Sequence, residues 1–356
     1  MSESPIPVAL IGCGKIASKH ARVLQSIPSL RVAAVCDLDP ERARALANEI
    51  PGCRVLEGVD AVGLDAEVEV GVVCTPSGWH ARHGIALAEA GKHVVVEKPM
   101  ALRLDEADRL IEICDLAGVK LFVVKQNRCN LAVRKAREAI QSGRMGKIFL
   151  GDARVLWNRT QKYYDEEPWR GTWEMDGGVL TNQASHHIDL LLWMMGEVES
   201  VFARSRTVGH KIEVEDLGVV LLKFRGGGLG VVEATTCVQP KDREGSLNLY
   251  GERGTIEIGG FSADALETWR FLEPTPEDER AVETFGRNPD VFGYSHREFY
   301  LNVVETLRSR ERALIDGFEG RRSLEVISAI YESIETGAEV HLRFEPRLCR
   351  LGVPPA

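Results

Sequence analysis

A glycine-rich turn near the start of the chain is compatible with few backbone arrangements. Residues 8–11 are apolar and lead directly into the pattern G-x-G-x-x-A, which is formed by Gly12, Gly14 and Ala17. Gly12 allows a sharp turn at the end of a strand, Gly14 leaves backbone N–H groups uncovered, and Ala17 lets the following helix pack closely on the sheet. The N-terminus of such a helix attracts a pyrophosphate. The pattern therefore predicts a strand, a tight turn and a helix that together hold a dinucleotide.

A carboxylate at the end of the next predicted strand supports this interpretation. Residues 31–36 are mostly apolar and are followed by Asp37. An acidic residue about 20–25 positions after the glycine pattern is where dinucleotide-binding proteins hold the ribose hydroxyls. Asp39 and Pro40 then have the residue types of a helix N-cap and a first helical position. A glycine turn in an unrelated α/β protein is the alternative, and Asp37 argues against it.

Strands and helices alternate over the first third of the chain. Further strands are predicted at 68–74, 93–96 and 120–124, with helices at 80–89 and 105–117 between them. Alternation at such short intervals is typical of βαβ units, in which a parallel sheet is covered on both faces. The predicted strands are followed by polar residues, namely Asp37, Thr75, Lys98 and Gln126. Because ligands bind outside the carboxyl ends of parallel strands, we expect a binding site there.

The pattern changes after residue 128. A predicted helix at 132–143 is followed by period-two segments at 149–157, 200–207, 217–224, 227–236, 246–250 and 255–258, and by late helices at 299–308 and 324–336. Successive strands of this kind are typical of a large antiparallel sheet. We therefore predict two domains. Residues 1–128 form an α/β domain, and residues 129–356 form an α+β domain with a large open, mainly antiparallel mixed sheet.

The charge and the cysteines exclude several classes of protein. The 356 residues carry a formal net charge of −9, which argues against nucleic acid or an anionic membrane as a partner. No apolar run approaches the roughly 18–20 residues of a membrane span, and the first strand begins too early for a signal peptide. The eight cysteines form no C-x-x-C pair and no spacing typical of metal ligands. We therefore expect a cytoplasmic protein with reduced thiols and no bound metal.

Lys98 is the first candidate catalytic residue. It follows a predicted buried strand and stands in the motif Glu97-Lys98-Pro99. A partly desolvated lysine beside a cation, such as an oxidised nicotinamide ring, has a depressed pKa and can transfer a proton near neutral pH. Pro99 favours extended backbone at Lys98. A solvated lysine at the end of a strand is the alternative.

A second candidate group lies on a predicted helix that ends at Gly196. Asn182, His186 and Asp189 are spaced i, i+4 and i+7 and so share one face. His186 is a candidate acid–base residue, and Asp189 is a candidate to orient its far ring nitrogen. A buried, hydrogen-bonded histidine is the alternative reading of His186, and His187 is expected to point elsewhere.

The third candidate is a segment rich in aromatic and cationic side chains. Residues 157–173 contain three tryptophans and two tyrosines together with the cations Arg159, Lys162 and Arg170. Aromatic rings stack on flat ligands, and arginines bind carboxylates and phosphates. The segment therefore predicts an anionic, ring-bearing ligand. Packing of an aromatic-rich loop under the sheet is the alternative.

These motifs together resemble the Gfo/Idh/MocA family of nicotinamide-dependent sugar oxidoreductases. The resemblance covers almost the whole chain and rests on the glycine pattern, Cys74-Thr75-Pro76, Glu97-Lys98-Pro99 and residues 176–189. It implies an N-terminal Rossmann domain, and a C-terminal sheet through which a homodimer or homotetramer associates. It also implies an NAD-dependent dehydrogenase acting on CH–OH groups, in which Lys98 and His186 are the catalytic pair and either is the base. The family often has an aspartate where this chain has Asn182.

The resemblance also implies ligand contacts. Asp37 would hold the adenosine ribose, and Leu38 offers no cation to a 2′-phosphate, so NAD is favoured over NADP. The implied cofactor contacts are Gly12, Gly14, Lys15, Ile16, Asp37, Thr75, Pro76, His80, Glu97, Lys98, Gln126, Trp169 and Arg170. The implied substrate contacts are Lys98, Asn127, Arg159, Tyr163, Tyr164, Asn182, Gln183 and His186.

A closer resemblance is to the WlbA-type enzymes of this family, and it rests on residues 122–128, 163–173 and 181–186. Those enzymes oxidise UDP-N-acetylglucosaminuronate (UDP-GlcNAcA) at C3 for surface polysaccharide synthesis. The resemblance implies this sugar nucleotide as substrate and 2-oxoglutarate as a candidate hydride acceptor. The alternatives are a dehydrogenase of UDP-GlcNAc, a free sugar or inositol, an NAD-dependent glycoside hydrolase, and a non-catalytic sugar sensor.

Overall fold

The computed structural model describes residues 4–288, 293–309, 313–342 and 351–352. The chain divides into two compact units. The first unit comprises residues 1–126 and 296–324, and the second comprises residues 127–295 and 325–356. Both predicted types of domain are present, which confirms the fold class.

The first unit is built on a six-stranded parallel sheet in the order β3-β2-β1-β4-β5-β6. Its strands are β1 (Ile6–Ile11), β2 (Leu30–Cys36), β3 (Arg54–Val55), β4 (Val70–Val73), β5 (His93–Val96) and β6 (Leu121–Val123). All residues of β1, β4 and β6 are buried, as expected for strands covered on both faces. The strand order reverses between β1 and β4, and such a reversal leaves a crevice at the carboxyl ends of these strands.

Helices connect the strands of this sheet. They are α1 (Lys15–Gln25), α2 (Pro40–Asn48), α3 (Val59–Leu64), α4 (His80–Glu89) and α5 (Leu104–Leu116). The Asp39 side chain accepts a hydrogen bond from the Glu41 N–H, so the predicted N-cap of α2 is present. The predicted bounds of α4 and β5 match those of the structure.

The first unit also contains residues 296–324, here called the return segment. The predicted division assigned everything after residue 128 to the second domain, whereas these later residues pack on the first sheet. Asp316 forms a β-bridge with Phe122, and the Val123 N–H donates to the Ile315 carbonyl at 3.2 Å. The Lys125 ammonium donates to the Glu319 carbonyl at 3.0 Å. No local sequence pattern predicts such a pairing, because its partners are almost 200 residues apart in the sequence.

The second unit is built on an eight-stranded mixed sheet in the order β13-β12-β11-β7-β10-β9-β8-β14. Its strands are β7 (Ile148–Leu156), β8 (Val198–Arg206), β9 (Leu217–Phe224), β10 (Leu229–Thr235), β11 (Glu244–Gly251), β12 (Gly254–Gly259), β13 (Ala265–Phe271) and β14 (Val340–His341). Among the strand pairs that the described residues form in this sheet, only β7–β10 is parallel. The alternating burial of β9 shows that one face of the sheet lies against the core and the other is open.

The remaining helices are α6 (Leu131–Gln141), α7 (Gln161–Asp165), α8 (Ser185–Met195), α9 (Ala281–Phe285), α10 (Tyr294–Ser309) and α11 (Gly317–Thr336). Helix α8 packs on β7 and β11 and is buried along most of its length. A search of the described residues finds no helix with the length and apolarity required to span a membrane.

Candidate active-site residues

The glycine turn has the geometry that a bound dinucleotide requires. Gly12 has a φ of +90°, and a Cβ at this position would lie 2.9 Å from the backbone carbonyl of Cys74. A Cβ on Gly14 would meet nothing within 4 Å, so the space beside it is open. Gly14 is also the N-cap of α1 and provides no side-chain hydrogen bond, so no capping side chain of Gly14 covers the N-terminus of the helix, where an anion can bind. The residues present therefore fit a pyrophosphate.

Asp37 is fixed beside this turn. Its Oδ2 accepts the Cys13 N–H at 2.6 Å, and its Oδ1 accepts the Asp39 N–H at 2.8 Å. The carboxylate is half-buried at the end of β2, whereas the neighbouring Leu38 is 99% exposed. A carboxylate held in this way can accept hydrogen bonds from a ribose diol.

Three more predicted contact residues are more accessible than the buried strands that they follow. Thr75, Lys98 and Gln126 follow β4, β5 and β6 and are each half-buried. Lys98 is the one accessible residue within the otherwise buried stretch 94–102. The fold thus presents a polar side chain at the carboxyl end of each of these strands, where ligands of parallel sheets bind.

His80 joins two of these strand ends. Its Nδ1 lies 2.7 Å from the Pro99 carbonyl oxygen, and its Nε2 lies 2.8 Å from the Thr75 carbonyl oxygen. The side chain is buried, and burial lowers its pKa although both carbonyl contacts act in the opposite direction. His80 therefore holds the two loops that carry Thr75 and Lys98. Its predicted contact with the cofactor stays a prediction.

Glu97 is a buried carboxylate directly beside Lys98. Its Oε2 accepts the Lys98 N–H at 3.0 Å, and its Oε1 accepts from His20 Nε2 at 2.9 Å. Burial acts to raise the pKa of Glu97, but the hydrogen bond and charge of His20 hold it well below its usual range. The Tyr300 hydroxyl is hydrogen-bonded to His20 Nδ1 at 2.7 Å. The sequence analysis did not identify His20 or Tyr300; the only local signal was the position of His20 one turn after Ala17.

The structure corrects the predicted start of the second candidate helix. Helix α8 begins at Ser185, so Asn182 lies in the preceding turn and not at a helical position. The Ala184 N–H donates to the Val179 carbonyl at 2.8 Å, a wider turn than that of an α-helix. Asn182 and His186 are nevertheless the two half-buried residues within the otherwise buried stretch 179–192. The second unit therefore leaves both of their side chains accessible.

Asp189 has a partner that the sequence analysis did not identify. Its two carboxylate oxygens accept from Nε and Nη2 of Arg128, each at 2.7 Å, and both side chains are buried. This pair links the start of the second unit to α8, and the predicted role of Asp189 in orienting His186 stays a prediction. His187 is fully buried against Trp157, and burial lowers its pKa to about 4.

The aromatic and cationic segment forms a ladder in which rings and guanidinium groups alternate. The Arg159 guanidinium lies 5.1 Å from the Trp157 ring and 5.6 Å from the Tyr163 ring. The Arg170 guanidinium lies 4.2 Å from the Tyr163 ring and 5.5 Å from the Trp169 ring. These cation–π contacts help to hold the guanidinium groups of Arg159 and Arg170 in place on a half-buried part of the second unit.

Three of the predicted substrate contacts are buried. The Tyr164 hydroxyl pairs with the Thr236 hydroxyl at 3.0 Å, and the Asn127 amide donates to the Ser262 carbonyl at 3.0 Å. Gln183 is hydrogen-bonded to the more accessible Tyr163. These partners give Tyr164, Asn127 and Gln183 structural roles, and their contact with a ligand stays a prediction.

Two clusters among the described residues have the side chains of a metal site. One consists of His20, Glu97 and His296, and the other of His210, Asp216 and Cys237. In the first, Glu97 already accepts from His20. In the second, Asp216 Oδ2 accepts the His210 N–H at 2.9 Å and lies 2.9 Å from His210 Nδ1. In each cluster, two of the three side chains are therefore joined by a hydrogen bond.

Comparison with known proteins identifies the family of the chain. Residues 6–125 match the oxidoreductase family with an NAD-binding Rossmann fold, and residues 133–257 match the GFO/IDH/MocA C-terminal domain. The chain is 28% identical to the myo-inositol 2-dehydrogenase of Thermotoga maritima, over 94% of this chain and 98% of that protein.

Two solved structures are more similar still. The WlbA dehydrogenase of Bordetella pertussis, in complex with NADH and UDP-GlcNAcA, is 38% identical with a TM-score of 0.92, over 97% of this chain and 99% of that one. The WlbA dehydrogenase of Chromobacterium violaceum, with the same two ligands, is 38% identical with a TM-score of 0.91, over 97% and 98% of the two chains. The chain therefore belongs to the GFO/IDH/MocA family of NAD-dependent oxidoreductases.

Proposed function

We propose that this dehydrogenase oxidises the C3 hydroxyl of a UDP-linked N-acetylamino sugar uronate and converts UDP-GlcNAcA to its 3-keto form. The observation that carries the proposal is the 38% identity to WlbA dehydrogenases bound to NADH and UDP-GlcNAcA, over nearly the whole of both chains. The inositol dehydrogenase relative is 28% identical over a similar length. A surface polysaccharide pathway would use such a product.

Lys98 and His186 are the proposed acid–base pair. Each is the accessible polar group of a largely buried stretch, which is the setting in which a proton-transfer group meets substrate. One of them would remove the proton from the substrate hydroxyl. NAD, when bound, would accept the hydride from C3. The Glu97 carboxylate, which accepts the Lys98 N–H, fixes the backbone that carries the ammonium group.

The two arginines of the ladder are the proposed contacts for anionic groups. Arg159 and Arg170 would offer guanidinium donors to the diphosphate, the uronate carboxylate or the dinucleotide, while Trp169 offers a ring for stacking. Arg170 has a side chain that is only 9% exposed, and its buried Nε has no hydrogen-bond partner among the described residues. Because this Nε is covered by the protein, the outer guanidinium nitrogens of Arg170 are the donors that could contact a ligand.

Two further features belong to the proposal. The enzyme would act as a homotetramer or homodimer in the cytoplasm. A keto acid such as 2-oxoglutarate would take the hydride from NADH that stays bound. Turnover would then depend on that acceptor and not on exchange of the cofactor.

A substrate panel tests the proposal. The purified protein is mixed with NAD and with UDP-GlcNAcA, UDP-GlcNAc, glucose or myo-inositol, with and without 2-oxoglutarate, and NADH absorbance is followed in single turnover and at steady state. We expect reduction with UDP-GlcNAcA and a kcat/KM at least about tenfold lower with UDP-GlcNAc, because the arginines recognise an anion. Equal activity on both sugar nucleotides would refute the uronate assignment.

Oxidation of inositol is the second candidate function, and the T. maritima relative favours it. Preferential NADH formation with myo-inositol in the same panel would establish it. A glycoside hydrolase would release sugar without net NADH, and a sensor would bind sugar nucleotide without reducing NAD.

A further inference from the structure

Asn182 is held by a buried carboxylate of the same unit. The Asp176 side chain is 2% exposed, its Oδ2 accepts the Gly171 N–H at 2.8 Å, and its Oδ1 is hydrogen-bonded to Asn182 Nδ2. The Asn182 N–H donates to the Gly178 carbonyl at 2.9 Å, so its backbone is fixed as well. Asp176 lies six positions before Asn182 in the sequence, and nothing in the sequence analysis assigned it a role.

This contact determines which end of the amide can meet a ligand. A carboxylate offers only acceptors, so the amide nitrogen of Asn182 must face Asp176. The carbonyl oxygen Oδ1 then lies at the other end of the amide, on a side chain that is half-buried while Asp176 is fully covered. Asn182 is thereby pre-organised as a hydrogen-bond acceptor.

We infer that Asp176 is a positioning residue that makes Asn182 an uncharged acceptor for a hydroxyl or N–H group of the substrate. The inference rests on the proposed function, because it takes Asn182 as a substrate contact. An aspartate at position 182 would also accept, but its negative charge would repel an anionic sugar acid. In this chain, the uncharged Asn182 side chain would supply the acceptor for the substrate. The negative charge is on Asp176, which contacts the other end of the Asn182 amide.

Three variants test the inference, namely Asp176→Asn, Asn182→Asp and the double exchange of both. Asp176→Asn lets the two amides pair in either orientation, so we expect KM for the sugar nucleotide to rise about tenfold or more with little change in KM for NAD. Asn182→Asp places two carboxylates in contact, so activity should fall at neutral pH and recover toward acidic pH as they share a proton. Asp115→Asn, the same change at an exposed carboxylate outside the candidate site, is the matched control.

The double exchange is the decisive variant. It places an amide donor at position 176 and a carboxylate acceptor at position 182, so the hydrogen bond between the two positions is restored. With UDP-GlcNAc, which lacks the uronate carboxylate, kcat/KM should therefore return to within about threefold of wild type. The ratio of kcat/KM for UDP-GlcNAcA to that for UDP-GlcNAc should fall about tenfold, because the charge now lies at position 182. Unchanged kinetics in Asp176→Asn, a double exchange no better than the worse single variant, or an unchanged ratio would each overturn the inference.

A second measurement separates this inference from the proposed function. The Tm of the NAD-bound protein is measured for the same variants without substrate, and the two single changes should not add in the double exchange. Additive changes would overturn the inference whatever the substrate is. Wild-type protein that turns over neither sugar nucleotide, with non-additive Tm changes, would refute the proposed function and support the orientation of Asn182.

Discussion

The Tyr331 hydroxyl donates a hydrogen bond to Glu215 Oε1 at 2.8 Å inside the second unit. The same carboxylate oxygen accepts the Leu180 N–H at 3.0 Å, and only 4% of Glu215 is exposed. Oε2 has no hydrogen-bond partner among the described residues. Burial raises the pKa of Glu215 from 4.5 to about 7, so a large fraction of molecules hold this carboxyl protonated near neutral pH.

The first prediction is a pH-dependent stability difference between wild type and Glu215→Gln. The folded state binds a proton between pH 4.5 and about 7 that the unfolded state has lost, so the buried carboxyl costs more stability as pH rises through this window. The advantage of the variant in free energy of unfolding should therefore grow by roughly 2–3 kcal/mol from pH 5 to pH 8. Urea denaturation at both pH values measures it. Exposed Glu174→Gln is the control, and a flat difference for Glu215→Gln would contradict the raised pKa.

The second prediction separates the roles of two glycines. Gly12→Ala should lower both the Tm of the apoprotein and NAD affinity, because its φ is +90° and its Cβ would overlap the Cys74 backbone. Gly14→Ala should leave the apoprotein Tm unchanged, since its Cβ meets no protein atom within 4 Å. That methyl group would occupy the space of a bound pyrophosphate and weaken NAD binding by about tenfold or more. Thermal unfolding and NADH fluorescence titration measure the two effects. A large Tm loss in Gly14→Ala would be inconsistent with this division.

The third prediction concerns the contact between the return segment and α1. Tyr300→Phe removes the hydroxyl that is hydrogen-bonded to His20 Nδ1 at 2.7 Å and leaves a fully buried ring nitrogen without this partner. The variant should lose about 1–2 kcal/mol of unfolding free energy. Tyr250→Phe, at a part-buried hydroxyl 3.3 Å from Glu257, should lose less and serves as the control. Equal losses in the two variants would argue against a stabilising role for the buried contact.

The architecture was predictable because local patterns determine it. The glycine turn, Asp37 and the alternating buried strands identified the parallel sheet, and period-two burial identified strands such as Leu217–Phe224. The N-cap at Asp39 was likewise a local signal. In each case, the physical cause lies within a few neighbouring residues.

The residues that the sequence analysis missed depend on long-range pairing. Tyr300 reaches His20 across 280 positions, and Tyr331 reaches Glu215 across 116. The start of α8 was also misplaced, because Asn182 is engaged by Asp176 in a turn that helical spacing does not reveal. Buried polar networks of this kind become visible only when the fold brings their partners together.

The last prediction tests whether the accessible Lys98 transfers a proton or only supplies charge. Lys98→Ala should leave NAD affinity nearly intact and lower turnover at least about 100-fold, within the usual range for loss of an acid–base group. Lys98→Arg retains the positive charge, but a guanidinium does not lose its proton near neutral pH, so it should remain about as inactive as the alanine variant. Single-turnover NADH formation and NADH fluorescence titration measure the two quantities for both variants. Recovery of most of the wild-type rate in Lys98→Arg would show that charge alone suffices and would assign the proton transfer to His186.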